Sequence, residues 1–234
     1  MSIIQADLFS GLEGWRSPDA VAYVGIDNDP KFKADMIRDI RTVSYTDFRE
    51  AFGEHWGKHD LLVTASPVCT GFTVMQIGRN WDKCPDTGIL TPKTETARLG
   101  IELLEACIRI IWELECLYPG EVFWVFENPR AAMRKMPHVQ HLINREVTWC
   151  QYPAGRKINT MKPTDLWVSE NLDALSDDWW RQPCKNGAPC HVPAPRGSTT
   201  GTQGMDKAEA AKIPAELSNA IAQAILARGT RDGY

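Results

Sequence analysis

Long apolar runs are missing from this chain. Nowhere in its 234 residues does a hydrophobic stretch approach the roughly 18–20 residues that a membrane span needs, so no membrane partner is expected. The opening Met1-Ser2-Ile3-Ile4 lacks the basic-then-apolar build of a signal peptide. Internal repeats and low-complexity linkers are absent. With 43% hydrophobic and 24% charged residues, the composition excludes disordered, collagen-like and coiled-coil classes. Gly-Lys-Ser/Thr and Gly-x-Gly-x-x-Gly occur nowhere, which excludes a Walker loop and the dinucleotide fingerprint. Seven cysteines, an odd number without a secretion signal, point to reduced thiols in a cytoplasm rather than a disulfide framework. The length allows one domain with a sizeable core, or one domain and a small appendage.

What is present begins with an uneven charge. The net charge of −4 favours no polyanionic partner, but residues 1–127 hold 12 basic and 20 acidic side chains, against 14 and 10 in residues 128–234. Between Asn128 and Asp165 seven basic residues face two acidic ones. A nucleic acid, if bound, is expected on this second half; a plain solvated face fits the same pattern.

Apolar runs alternate with helical periodicity, which predicts an α/β fold around a mostly parallel sheet. Strands are expected at Ile3–Phe9, Val21–Asp27, Leu61–Thr64, Glu121–Phe126, Arg145–Gln151 and Thr164–Val168. A long helix is expected over Thr94–Glu115, with Leu104, Cys107, Ile108, Ile111 and Leu114 on one stripe, and a last helix over Pro214–Arg228. Residues 70–93, broken by Gly71, Gly78, Pro85, Gly88 and Pro92, read as a loop long enough to act as a lid.

Ligands of parallel sheets bind outside the carboxyl ends of the strands. That edge receives the glycine turn of Asp7-Leu-Phe-Ser-Gly-Leu-Glu-Gly14, the carboxylate of Asp27, the thiol of Cys69 and the run Glu127-Asn128-Pro129. An acid 20 residues after Asp7 suits the hydroxyls of a ribose. A nucleophile paired with an acid suits conjugate addition to a ring followed by alkylation. Each feature has a plain structural reading: such turns are common, and a cysteine is more often a small buried apolar side chain. Cys184, Cys190 and His191, with Cys150 as a conceivable fourth ligand, raise the question of zinc. Five residues between the cysteines do not fit the usual two-to-four spacing, so the sequence reading favours no metal.

Together these segments resemble the DNA (cytosine-5) methyltransferases, and most closely the short phage- and prophage-encoded members. Asp7–Gly14 resembles the first motif of that family, Gly25-Ile-Asp-Asn-Asp29 its ribose-binding motif, and Asp39-Ile40 its acidic adenine contact. Ser66-Pro67-Val68-Cys69-Thr70-Gly71-Phe72 resembles the catalytic Pro-Pro-Cys-Gln-x-Phe, and Glu127-Asn128-Pro129 its Glu-Asn-Val. All stand in the family's order, over about residues 3–165. The chain departs from the pattern at Val68 and Thr70. Gln151 and Arg156 match the Gln-x-Arg-x-Arg motif only loosely, and Ala215-Glu216 stands where a Gly-Asn pair opens the last helix.

The resemblance implies a Rossmann-like S-adenosylmethionine-dependent fold. It divides the chain into a catalytic and cofactor-binding domain at 1–167, a much reduced recognition region at 168–205 and a helix returning to the catalytic domain at 206–234. It implies S-adenosylmethionine as cofactor, leaving S-adenosylhomocysteine, held by Asp7, Phe9, Gly11, Gly14, Asp27, Asp39 and Pro67. Cys69 and Glu127 become the catalytic pair, while Asn128, Arg130, Gln151 and Arg156 become contacts to a DNA partner, with Arg134 and Lys135 as further candidates. A monomer is expected, in the cytoplasm of a bacterium or a phage-infected host, methylating cytosine in a restriction–modification setting. RNA or a free nucleotide is the alternative substrate, and a non-catalytic binding relic the alternative class.

Overall fold

Odd and even residues of the central strands go to opposite sides, because successive side chains alternate across a pleated sheet. In β1 (Ile3–Leu8), Ile4, Ala6 and Leu8 pack with Leu61, Val63 and Ala65 of β4 (Asp60–Ala65) and with Val122, Trp124 and Phe126 of β7 (Val122–Pro129). This layer is covered by α1 (Tyr45–Phe52) and α3 (Glu95–Leu117). Ile3, Leu62, Phe123 and Val125 face the other way, where α4 (Glu170–Asp173), α5 (Ser176–Trp179) and α6 (Ala215–Arg231) lie. The computed structural model describes residues 1–73, 77–156, 159–192 and 211–231; residues 193–205 of the expected recognition region lie outside them.

The remaining strands of the main sheet are β2 (Ala20–Asp27), β3 (Met36–Ile37), β8 (Ile143–Thr148) and β9 (Pro163–Val168). The seven strands run in the order β3-β2-β1-β4-β7-β9-β8. All are parallel except β9, which is antiparallel to both neighbours. This is the Rossmann-like α/β architecture expected, with its order reversing between β1 and β4, the switch point at which such folds bind ligands. Residues 70–93, expected to be irregular, contain the short α2 (Ile77–Asn80) and an antiparallel pair, β5 (Trp81–Lys83) with β6 (Leu90–Pro92). Also not expected from the sequence were α1, begun by a capping box of Ser44 and Asp47, the short α4 and α5, and the two-residue edge strand β3. Among the described residues no helix is long and apolar enough to cross a membrane.

Register decides what shares the carboxyl edge. Leu8 is level with Ile26 and with Ala65, and Ala65 is level with Phe126. The next residues, Phe9, Asp27, Ser66 and Glu127, therefore emerge side by side. One boundary differs from expectation: β7 does not stop before Glu127 but runs on through Pro129, with Glu127 opposite Leu166 and Asn128 opposite Asp165. The antiparallel partner β9 keeps these residues in the ladder.

Candidate active site

The turn after β1 is wound tightly. Phe9, Gly11 and Glu13 all have positive φ, at 62°, 47° and 52°, a conformation rare for a bulky side chain such as Phe9. Below the turn, Gln5 is fully buried, donating to the Trp15 carbonyl at 2.7 Å and accepting from Ser17 N at 2.9 Å. Asp27 closes it from β2: one carboxylate oxygen accepts from Gly11 N at 3.0 Å, the other from Asp29 N at 2.9 Å. Gly14 is needed for contact, since a Cβ there would lie 2.8 Å from the backbone nitrogen of Ile213. The segment leading into α6 thus lies across the glycine turn.

Two cavities meet at Phe9. A small one of about 40 Å³ is lined by Phe9, Ile26, Asp27, Asp39, Ile40 and Val68. A larger one of about 420 Å³ runs along Phe9, Gly11, Gly14, Trp15, Ser66 and Ile213, within the size range of ligand sites. Asp39 accepts from Arg41 N at 2.9 Å and pairs with the Arg41 guanidinium at 2.7 Å, which holds its carboxyl below the usual range. Asp7 is placed elsewhere. Fully buried in β1, it accepts from Tyr23 at 2.9 Å and Thr64 at 3.0 Å, and burial pushes it up to about 7. It lines neither of the two cavities at Phe9, and its contacts make it a brace between three strands.

Beyond β4, Pro67 and Cys69 sit in a braced loop. Asn128 is buried and donates to the Pro67 carbonyl at 2.9 Å, tying the end of β7 to this loop. Its Oδ1 has no hydrogen-bond partner among the described residues. Phe72 N donates to the Cys69 carbonyl at 2.8 Å. Gly71 then rests on the start of α3, where a Cβ would lie 2.9 Å from the Thr96 carbonyl. The Trp81 indole donates to the Gly71 carbonyl at 2.8 Å, and Phe72 stacks on the Trp81 ring at 5.5 Å. Val68 is 44% exposed and lines the small cavity.

Burial pushes the Cys69 thiol up, and the nearby Glu127 carboxylate pushes it further; the Lys162 ammonium pulls it back. Glu127 is itself raised by burial and lowered by Lys162, whose Nζ lies 3.4 Å from its Oε1. Lys162 also lies 3.7 Å from the centre of the buried Trp149 ring, and Arg156 lies 4.7 Å from the same ring. Sequence reasoning missed Lys162 as a site residue. The strand-end rule looks at carboxyl ends, whereas β9 runs the other way and brings the residue before its amino end to this edge.

The other expected nucleic-acid contacts do not converge. Arg130 pairs with Glu146 at 2.5 Å, and Arg134 with Asp165 at 2.9 Å, so the two acids of the basic stretch are spent on two of its arginines. Burial still raises Asp165 to about 6. Gln151 points toward the sulfurs of Cys190 and Cys150, at 3.7 and 4.0 Å. Glu216, in the altered last motif, accepts from Ala154 N at 2.9 Å and pairs with Arg181 at 2.6 Å.

No protein-family model and no curated protein sequence matches the chain. Among solved structures it is similar to the methyltransferase EhMeth of Entamoeba histolytica, at 9% identity over 72% of this chain and 52% of that one, with a TM-score of 0.47. It is also similar to the Dnmt2 methyltransferase of S. pombe (16% identity, 72% and 49% covered, TM-score 0.45). A third is a candidate DNA modification methyltransferase encoded within a prophage of E. coli (13% identity, 82% and 53% covered, TM-score 0.49). The chain spans about half the length of these structures.

Proposed function

We propose that the chain transfers a methyl group from S-adenosylmethionine to carbon 5 of cytosine in DNA. The observation that carries this reading is the trio of Cys69, Glu127 and Lys162 at the sheet edge where the glycine turn also emerges. The residues present fit the cofactor. Asp27, held by two backbone donors, keeps lone pairs for ribose hydroxyls, and the small cavity beside Asp39 and Ile40 suits an adenine edge. Phe9, Gly11, Gly14 and Pro67 form or border the cavities; Asp7 supports them from below.

A base inside a duplex is out of reach, so it is flipped toward the strand ends at a cost of a few kcal/mol. Cys69 thiol with Glu127 carboxylate, and Cys69 thiolate with Glu127 carboxylic acid, carry the same net charge. One proton moved from sulfur to the carboxylate arms both groups, and the Lys162 ammonium offsets the negative charge in either state. The thiolate then forms a bond to carbon 6 while Glu127 gives its proton to N3, leaving carbon 5 electron-rich. S-adenosylmethionine, when bound, supplies the electrophilic methyl group that this carbon takes up. Loss of the carbon 5 proton to a water molecule expels the Cys69 thiolate, and N3 returns its proton to Glu127. Asn128 Oδ1 offers an acceptor near the ring.

The test is methyl incorporation, assayed on duplex DNA, transfer RNA and dCMP in parallel. Transfer to DNA is expected, with Cys69→Ser abolishing it while cofactor binding persists, and a 5-fluorocytosine oligonucleotide should trap a covalent adduct. Transfer by Cys69→Ser at the wild-type rate would sink the mechanism. DNA binding with no adduct would mean a non-catalytic protein.

A further inference from the structure

Away from the trio, at the far end of the same edge, four metal-binding side chains converge from three segments. Cys150 lies in the single 3-10 turn (Trp149–Gln151) that follows β8. Cys184 lies beyond α5, and Cys190 and His191 follow a turn at Gly187, whose φ is 82°. One donor atom from each of the four lies within 4.8 Å of every other. We propose that Cys150, Cys184, Cys190 and His191 bind a structural zinc ion.

The spacings carry the argument. A tetrahedron with Zn–S near 2.3 Å and Zn–N near 2.0–2.1 Å has S···S edges of about 3.8 Å and S···N edges of about 3.6 Å. Here Cys190 Sγ lies 3.8 Å from Cys150 Sγ, and His191 Nδ1 lies 3.5 Å from the sulfurs of both Cys184 and Cys190. The remaining measured edge, Cys150 to Cys184, is shorter at 2.9 Å. That is too long for a disulfide, whose sulfurs bond at about 2.05 Å, and closer than two uncharged thiols rest.

The surroundings match a closed structural site. Cys150 and His191 are buried, and Cys184 and Cys190 only partly exposed. Gln151 Nε2 donates toward the sulfurs of Cys190 and Cys150, the outer-shell bond that steadies a thiolate ligand. Backbone bonds hold the ligand segments in place: Cys184 N donates to Thr148 Oγ1 at 2.9 Å, Asn159 Nδ2 donates to the carbonyls of Cys150 and Cys190, and Val192 N donates to the Asn159 carbonyl at 2.9 Å. Residues 181–192 contain no helix or strand. A bound ion supplies the order that a stretch without its own core lacks, since metal binding free energy becomes folding free energy. The sequence reading named these four residues and set zinc aside on the Cys184–Cys190 spacing; the fold brings Cys150, 34 residues before Cys184, to the same point.

The experiment uses the untagged full chain and does not depend on methyl transfer. Metal analysis of protein purified without chelator should find about one zinc per chain. Exchange with cobalt should produce the visible bands of a tetrahedral site and a thiolate charge-transfer band. Cys150→Ser and His191→Ala should each lose the metal, while Cys116→Ser, at an exposed site in α3, should keep it. Chelation should open the segment to trypsin after Arg181 and Lys185. If the variants do not fold, the zinc content and cobalt spectrum of the wild type decide alone. A chain with no bound metal and a featureless cobalt titration overturns the proposal, as does a Cys150–Cys184 disulfide found by mass spectrometry.

Discussion

Lys162 is the side chain on which the proposed chemistry turns, because it lowers both groups that must exchange a proton. Lys162→Ala should let the Cys69 thiol and the Glu127 carboxyl rise further. The kcat of methyl transfer is expected to fall about tenfold or more, roughly 1.4 kcal/mol of barrier, and the pH–rate profile to move to higher pH. Lys162→Arg should restore part of the rate and the original profile. An unmoved profile in the alanine variant would remove Lys162 from the mechanism. Asp7 makes a different prediction. Burial raises its pKa in the fold to about 7, above the ordinary carboxyl value of 3.8, so the fold prefers the protonated acid. That preference stabilises the chain fully below about pH 4 and is lost as pH rises through 7. Asp7→Asn keeps an uncharged group between Tyr23 and Thr64. Its stability gain over wild type should be on the order of a few kcal/mol at pH 8 and should vanish near pH 4, read from urea unfolding at each pH.

Between elements, the contact of Gly14 with Ile213 joins the first turn of the chain to the entry of its last described helix. Gly14→Ala places a methyl group against backbone that cannot rotate away, an overpacking worth about 1–3 kcal/mol. Because residues 211–213 wall the larger cavity, the expected result is a cofactor dissociation constant raised about tenfold by calorimetry, along with a lower melting temperature. An unchanged dissociation constant would place the cofactor elsewhere. Elements of this kind were legible to different degrees. The central strands were readable because Val122–Phe126 is a continuous apolar run and Ile3–Leu8 is apolar at four of six positions, as sheets covered on both faces favour. α3 was readable from its stripe of Leu104, Cys107, Ile111 and Leu114. β3 was not, since two residues show no period. Of the site, Cys69, Glu127 and Asp27 were legible as strand-end residues. Lys162 was not, because its position depends on an antiparallel strand; the Cys150 cluster was named but set aside, because its closeness depends on a register that no local spacing records.

At the scale of the molecule, the basic half is less cationic toward solvent than its composition suggests. Arg130, Arg134, Arg145, Arg181 and Arg228 all have carboxylate partners. These five matched charges leave fewer to neutralise phosphates than the 14 basic residues of this half suggest. The affinity for duplex DNA should therefore fall only gently with salt, with a log–log slope of about −2 to −4, from −0.9 per phosphate contacted. A slope near −8 would mean that these pairs open on binding. Between the end of β9 and the start of α6 the chain has few residues for reading bases, so bisulfite sequencing of DNA from expressing cells should show methylation in a short context. A long fixed target sequence would contradict this.

The last described helix also imposes an order of events during synthesis. α6 covers the sheet face formed by Ile3, Leu62 and Phe123, and Arg228 near its end pairs with Asp60 and Glu121. Until residues 211–231 leave the ribosome, that face has only α4 and α5 on it and the larger cavity lacks the wall that residues 211–213 supply. A nascent chain carries Cys69 and Glu127 for seconds at ordinary rates of translation before that wall is made. Translation thus works as a timer: the strand ends come first, and the cavity at the glycine turn is walled only when residues 211–213 follow.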